Sequence, residues 1–143
     1  MNKCQKKRRE ALRLSQKVNY GILLLTALAK TEQDHISIKN IAKEKGISFA
    51  FLQKTARLLH QSGLIKSERG KYGGYSLAKK PQNIAFKEII EAVEGPMALI
   101  PCLTPSQKIC TNRSNCEIKS SFEKINDELL QFFSSKKLSE IIC

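Results

Sequence analysis

The sequence predicts a mainly α-helical chain with one small β-hairpin, and three observations predict it. Apolar residues recur at spacings of three and four around residues 18–30, 38–42, 52–59 and 86–93, the period of helices with one buried face. The stretch LIKSERGKYGGYSLAK, residues 64–79, places two short extended runs on either side of a glycine-rich turn. A further series, Ile118, Phe122, Ile125, Leu129 and Phe132, steps by 4, 3, 4 and 3 residues, which is a heptad-like stripe on one last helix.

Residues 1–13, MNKCQKKRREALR, read as a polar basic arm. Ser15 is placed to cap the first helix, which carries Val18, Gly21, Ile22, Leu25, Leu28 and Ala29 on its apolar face and runs to about Lys30. The polar run TEQDH then ends it, with His35 expected in an exposed loop. Ser37 caps a short second helix with Ile38, Ile41 and Ala42 on one face. Gly46 breaks that helix, and Ser48 is placed to cap a third, residues 49–61, with Leu52, Ala56, Leu58 and Leu59 inward. Gln53, Lys54, Arg57 and His60 occupy positions that need not face the core. Short helix, glycine turn, capped helix is the layout of a helix-turn-helix.

The hairpin follows at once. Its outgoing strand is read as residues 64–68 and its return strand as residues 75–78, with the tip at residues 69–74. Three glycines at the tip permit positive φ and a sharp turn. Arg69 and Lys71 there can reach phosphates or a narrow minor groove. A helix-turn-helix followed by a basic hairpin is a winged helix. Pro81 breaks the chain, a helix is expected over residues 85–93, and Gly95-Pro96 ends it. The stripe helix is expected from Cys116 to about Phe133, with one more helical turn over residues 136–142. Residues 14–96 are therefore read as a winged helix-turn-helix domain, 97–115 as a cysteine-containing loop, and 116–143 as a long C-terminal dimerisation helix and tail. The dimer contact is assigned to Ile118, Phe122, Ile125, Leu129 and Phe132, because a domain of this size has few faces left to cover them.

Charge singles out a partner. The formal net charge is +12, but residues 37–80 hold ten Lys/Arg against two acids and residues 1–17 hold seven against one. The rest of the chain is near neutral. Basic charge concentrated on a winged helix points to double-stranded DNA, and a two-fold dimer matches a palindromic site. There is no apolar run of about 18 residues to span a membrane and no secretory leader pattern. A cytoplasmic location is expected, where thiols stay reduced.

In that setting PCLTPSQKICTNRSNC, residues 101–116, acquires a meaning. Cys102, Cys110 and Cys116 sit among turn-forming residues. Three thiolates favour a soft metal, either an iron–sulfur cluster or zinc, and the wide gaps lack the tight cysteine pair of structural zinc sites. Three thiols sensing oxidation directly remain open as a reading. An enzyme is not expected: the wing glycines do not open a helix as a phosphate loop does, and the chain has only two histidines. A cluster carrier without DNA binding would leave the basic helix-turn-helix without a purpose.

SQKVNYG at residues 15–21, GIS at 46–48, RGKYGGYSLA at 69–78 and FKEIIEAVEGP at 86–96 together resemble the Rrf-type family of bacterial winged-helix transcriptional regulators, of the IscR and NsrR kind. The resemblance spans about residues 13–134. It implies homodimers on palindromic promoter DNA, with base reading by Ser48, Ala50, Phe51, Gln53 and Lys54 and wing contacts from Arg69 and Gly70. It also implies an iron–sulfur cluster, 2Fe-2S or 4Fe-4S, on Cys102, Cys110 and Cys116. Two departures stand out. IscR-like members supply a fourth ligand as a histidine where this chain has Lys119, and NsrR-like members as an aspartate where it has Asn19. Glu117, Glu123, Cys4, a histidine or an external ligand are left as replacements. Gln53 stands where IscR-like members are acidic, so their operator does not carry over.

Overall fold

Ser15 and Ser37 fix where the first two helices begin. Their hydroxyls accept the Val18 N–H at 3.4 Å and the Asn40 N–H at 3.1 Å, each satisfying an amide that has no partner inside its helix. In this computed structural model, which describes residues 14–71, 73–105, 110 and 113–142, α1 spans Gln16–Lys30, α2 Ile38–Lys45 and α3 Phe49–Gln61. Gly46 closes α2 at φ 64° with its N–H returned to the Ala42 carbonyl, a left-handed cap that glycine adopts without a Cβ clash. Ser48 holds the N-cap position of α3, but its hydroxyl makes no capping bond, contrary to the expectation from sequence. It stays exposed instead.

The wing is β1, Ile65–Glu68, paired antiparallel with β2, Gly74–Leu77, in the register Ile65↔Leu77 to Glu68↔Gly74. Leu64 and Ala78, expected inside the strands, lie just outside them, where the Ala78 N–H bonds the Leu64 carbonyl at 3.0 Å. Ile36 adds a separate antiparallel bridge to β2 that periodicity did not reveal. It exchanges two backbone hydrogen bonds with Tyr75, at 3.0 and 2.9 Å. That approach explains one tip glycine, since a Cβ on Gly74 would lie 2.6 Å from the Ile36 carbonyl oxygen. Only Gly70 among the three tip glycines has positive φ. Gly73 and Gly74 are there for space.

α4, Phe86–Glu94, starts with the Ala85 N–H donating to Glu88 Oε2 at 2.8 Å. α5 spans Lys119–Ser135 and α6 Leu138–Ile141. α5 begins three residues later than the stripe suggested. The Lys119 N–H bonds the Cys116 carbonyl at 3.3 Å, one residue short of the α-helical ladder, which starts with Phe122 N–H to Ile118 O at 3.0 Å.

The core joins all these parts. Val18, Leu24, Leu25, Ile41, Leu52, Leu59 and Ile89 pack in one cluster. Leu138 belongs to the same cluster and is 0% exposed. The chain beyond α5 is held there by Phe86 N–H to Lys136 O at 2.8 Å and Leu138 N–H to Ile84 O at 2.9 Å. Burial of one leucine of this kind is worth roughly 2 kcal/mol. The basic arm with Cys4, Tyr72 of the wing tip, Cys143, and residues 106–109 and 111–112 lie outside the described residues.

Candidate nucleic-acid interface and cysteine cavity

α3 turns Leu52, Thr55, Ala56 and Leu59 into the core. Thr55 can be buried because its hydroxyl donates to the Phe51 carbonyl at 3.1 Å. The 3.6-residue period then leaves Ala50, Phe51, Gln53, Lys54 and Arg57 exposed, next to the Ser48 hydroxyl. Arg69, Gly70 and Lys71 at the wing tip are exposed as well. All nine DNA-binding residues named from sequence thus reach the surface, on two adjoining elements.

Side chains tie the wing to the helices. Ser67 Oγ lies 3.3 Å from His60 Nε2, and His35 Nε2 lies 3.0 Å from Glu68 Oε2. His35 is therefore not the exposed loop residue expected. It is half-buried, clasping β1, while its Nδ1 is buried and meets no hydrogen-bond partner among the described residues. Phe51 meets Tyr20 of α1 edge-on, ring centres 5.3 Å apart. Phe49, which sequence reasoning passed over, is the first residue of α3 and 45% exposed.

The second feature lies in the segment between α4 and α5. Cys102, Cys110 and Cys116 are free thiols that share the walls of one cavity with Leu103 and Lys119. Cys102 stands on a 3-10 turn, Pro101–Leu103, whose Thr104 hydroxyl bonds back to the Pro101 carbonyl. Cys116 follows a second such turn, Arg113–Asn115. The cavity encloses about 20 Å³, room for about one water molecule. Among the described residues no three His, Cys, Asp or Glu side chains lie close enough to hold one metal ion together. The donor chemistry suits a soft metal, while the space between these side chains is smaller than a cluster. Of the suggested replacements among the described residues, neither Glu117, Glu123 nor either histidine lines it, and Asn19 is exposed on α1. Glu123 lies 3.7 Å from the Lys119 ammonium.

The loop is anchored by a residue that the apolar stripe concealed. Asn126 is buried in α5, and its Oδ1 accepts the Leu99 N–H at 2.8 Å. Glu91 of α4 accepts the Met97 N–H at 3.3 Å. The stripe itself is split: Phe122 and Leu129 are half-buried, whereas Ile118, Ile125 and Phe132, seven residues apart, are 57%, 50% and 54% exposed.

A helix-turn-helix with a basic wing fastened to it is the working part of a winged-helix, DNA-binding transcriptional regulator. The chain belongs to the Rrf2 family, whose model, "Rrf2: Iron-dependent Transcriptional regulator", matches residues 14–143. It is 33% identical over 124 residues to protein rrf2 of Nitratidesulfovibrio vulgaris, covering 80% of this chain and 82% of that one. Among solved structures it is similar to CymR, the global cysteine regulator of B. subtilis, with a TM-score of 0.70 and 28% identity over 92% of this chain and 97% of the other. It is similar to T. potens IscR with a TM-score of 0.65 and 30% identity over 92% and 86%.

Proposed function

We propose that this chain acts in the cytoplasm as a homodimer on a palindromic operator, and that an iron–sulfur cluster on Cys102, Cys110 and Cys116 sets its affinity for that DNA. Promoter output then follows redox state, nitric oxide or iron supply. The observation that carries this reading is the meeting of three thiols, from both ends of one loop, on a single cavity at the foot of α5. Ser48, Ala50, Phe51, Gln53, Lys54 and Arg57 serve the major groove, and Arg69, Gly70 and Lys71 serve the flanking backbone or minor groove. The exposed row Ile118, Ile125 and Phe132 supports pairing of α5 with a second copy, as does the apolar groove beside it lined by Leu14, Met97, Leu99, Leu129 and Phe133.

A cluster, when bound, supplies an iron centre that reacts with oxygen and nitric oxide. The chain's own part is mechanical. Cys102 follows the exit of α4 and Cys116 precedes α5, so opening the loop between them pulls on both helices. α4 packs against α1 and α3, where Ile89, Val93 and Thr55 meet over Gly21. A strain on α4 is therefore felt by the helix that reads DNA. A difference of about 1.4 kcal/mol between the two loop states changes affinity tenfold. The test is anaerobic purification from iron-replete cells with absorption, iron and sulfide measured, followed by DNA binding of loaded and stripped protein at matched salt. Colourless, iron-free protein, or equal binding by both forms, refutes the cluster reading.

Specific observations favour a second reading, in which the thiols sense oxidants directly. The three thiols already line one small cavity, Lys119 lines it with them, and similarity to a cysteine regulator is as close as to IscR. Oxidant-induced, dithiol-reversible loss of DNA binding in metal-free protein, with a disulfide between two of these cysteines located by mass spectrometry, supports it. Insensitivity of metal-free protein to oxidant excludes it.

A further inference from the structure

The recognition helix meets the groove with an unusual set of side chains for a strongly basic protein. Its exposed residues over the first two turns are Phe49, Ala50, Phe51, Gln53 and Lys54. No arginine stands among them, Lys54 is their one basic residue, and Arg57 comes only in the third turn. Arginine or lysine paired to guanine is the commonest specific contact in the major groove, whereas glutamine pairs with the adenine edge and apolar groups pack on the thymine methyl. Phe49 and Gln53 are four residues apart and so share one face of α3. Ala50 adjoins them. Phe51 stands on a neighbouring face of α3, its ring edge-on to Tyr20 and its side chain still exposed.

Phe49 is 45% exposed although it sits at the start of a helix whose other face builds the core. The same unit supplies the attraction to DNA: residues 37–80 carry ten Lys/Arg against two acids, and Lys54 and Arg57 of α3 and Arg69 of the wing are exposed. An apolar tip within a basic surface is complementary to a groove lined with methyl groups and flanked by phosphates.

Resting on the DNA-binding reading above, we infer that this regulator selects A·T-rich half-sites, with Phe49 and Ala50 packed on thymine methyls and Gln53 bonded to an adjacent adenine. Phe49 is then a specificity-determining residue.

The experiment is a selection of the full chain, in its as-isolated and metal-free forms, from a library of random-sequence duplexes. Affinities are then measured for the enriched site with each thymine in turn replaced by uracil, which removes the 5-methyl group alone. Half-sites rich in A·T, with at least one position where uracil weakens binding roughly fourfold, are expected, the loss that follows from about 0.8 kcal/mol per buried methyl-sized group. Phe49→Ala should bind thymine and uracil duplexes alike at that position, and Phe49→Leu, which keeps an apolar contact, should still discriminate. Circular dichroism melts verify that both variants fold. A G·C-rich selected half-site, or a thymine-to-uracil change without effect throughout, overturns this inference while leaving the DNA-binding reading intact. Enrichment of no duplex by either form overturns both. Unchanged discrimination in folded Phe49→Ala removes Phe49 from the role.

Discussion

The Leu99 amide and the Asn126 carboxamide oxygen, 27 positions apart, meet at 2.8 Å inside the protein. This bond joins the segment leaving α4 to the middle of α5, just before Cys102. It makes Asn126 a candidate pivot for any signal that starts in the cysteine loop.

Asn126→Ala should leave the part-buried Leu99 N–H without its partner. The expected cost is about 1–3 kcal/mol of stability, read from urea unfolding. If the bond also transmits the state of the loop, the difference in DNA affinity between the two loop states should shrink in the same variant.

Replacing Gly74 by alanine should cost more than its size suggests. The new Cβ would meet the Ile36 carbonyl oxygen at 2.6 Å and its carbon at 2.7 Å, so the Ile36–Tyr75 rung must open. Operator affinity is expected to fall with the displaced wing. Gly21→Ala is the contrasting case. Its nearest neighbours would stand at 3.6–3.9 Å, ordinary contact, and the helix should gain about 0.5–1 kcal/mol. Thermal melts of the pair decide whether close approach or helix propensity governs each site.

Glu88 gives an acid limit to stability. Burial opposes its charge, but the hydrogen bonds from Lys79 and the Ala85 N–H, with the positive charge of Lys79 and Lys137, outweigh that and hold its carboxyl below the ordinary value of 4.5. The native state therefore favours the ionised form. Its contribution is complete above about pH 4.5, where the unfolded chain is also ionised, and is lost as pH falls through the lower native value. Glu88→Gln should be less stable than the parent at neutral pH, and the gap should narrow in acid. A gap that widens in acid contradicts the assignment.

Ile125 lies at the centre of the exposed row on α5. Ile125→Glu places a charge where a second copy is proposed to pack, and sedimentation should then report a monomer with helix content unchanged. A parent protein that is itself monomeric at micromolar concentration rules the pairing out.

Much of this architecture was legible because short-range rules govern it. Ser15, Ser37 and Gly46 mark helix ends through local hydrogen bonds and φ, and the inward face of α3 follows from period alone. Ile36 was not legible, since a single rung formed across 39 positions leaves no local pattern. The cap expected at Ser48 and the early start expected for α5 failed for a related reason: both depend on how the chain enters the helix, which loop geometry decides. His35 and Asn126 read as ordinary polar residues because a buried polar atom is identified by its partner, and each partner is distant in sequence. The three cysteines were legible as a group. That they share one cavity with Lys119 was not, because spacing says which residues a loop holds and nothing about which side chains meet.

Leu138 has a bearing on how the molecule comes into being. The hydrophobic cluster beneath the DNA-reading helices includes this residue, delivered by a stretch of backbone that pairs with Ile84 and Phe86. During synthesis the helix-turn-helix and wing emerge long before it does, so they wait with a gap in their interior that only later translation fills. A fragment cut after Glu94 inherits that gap permanently. The winged portion is therefore not a detachable cassette: grafting it into a fusion or expressing it alone requires supplying residues 136–142 as well, in trans or by circular rearrangement.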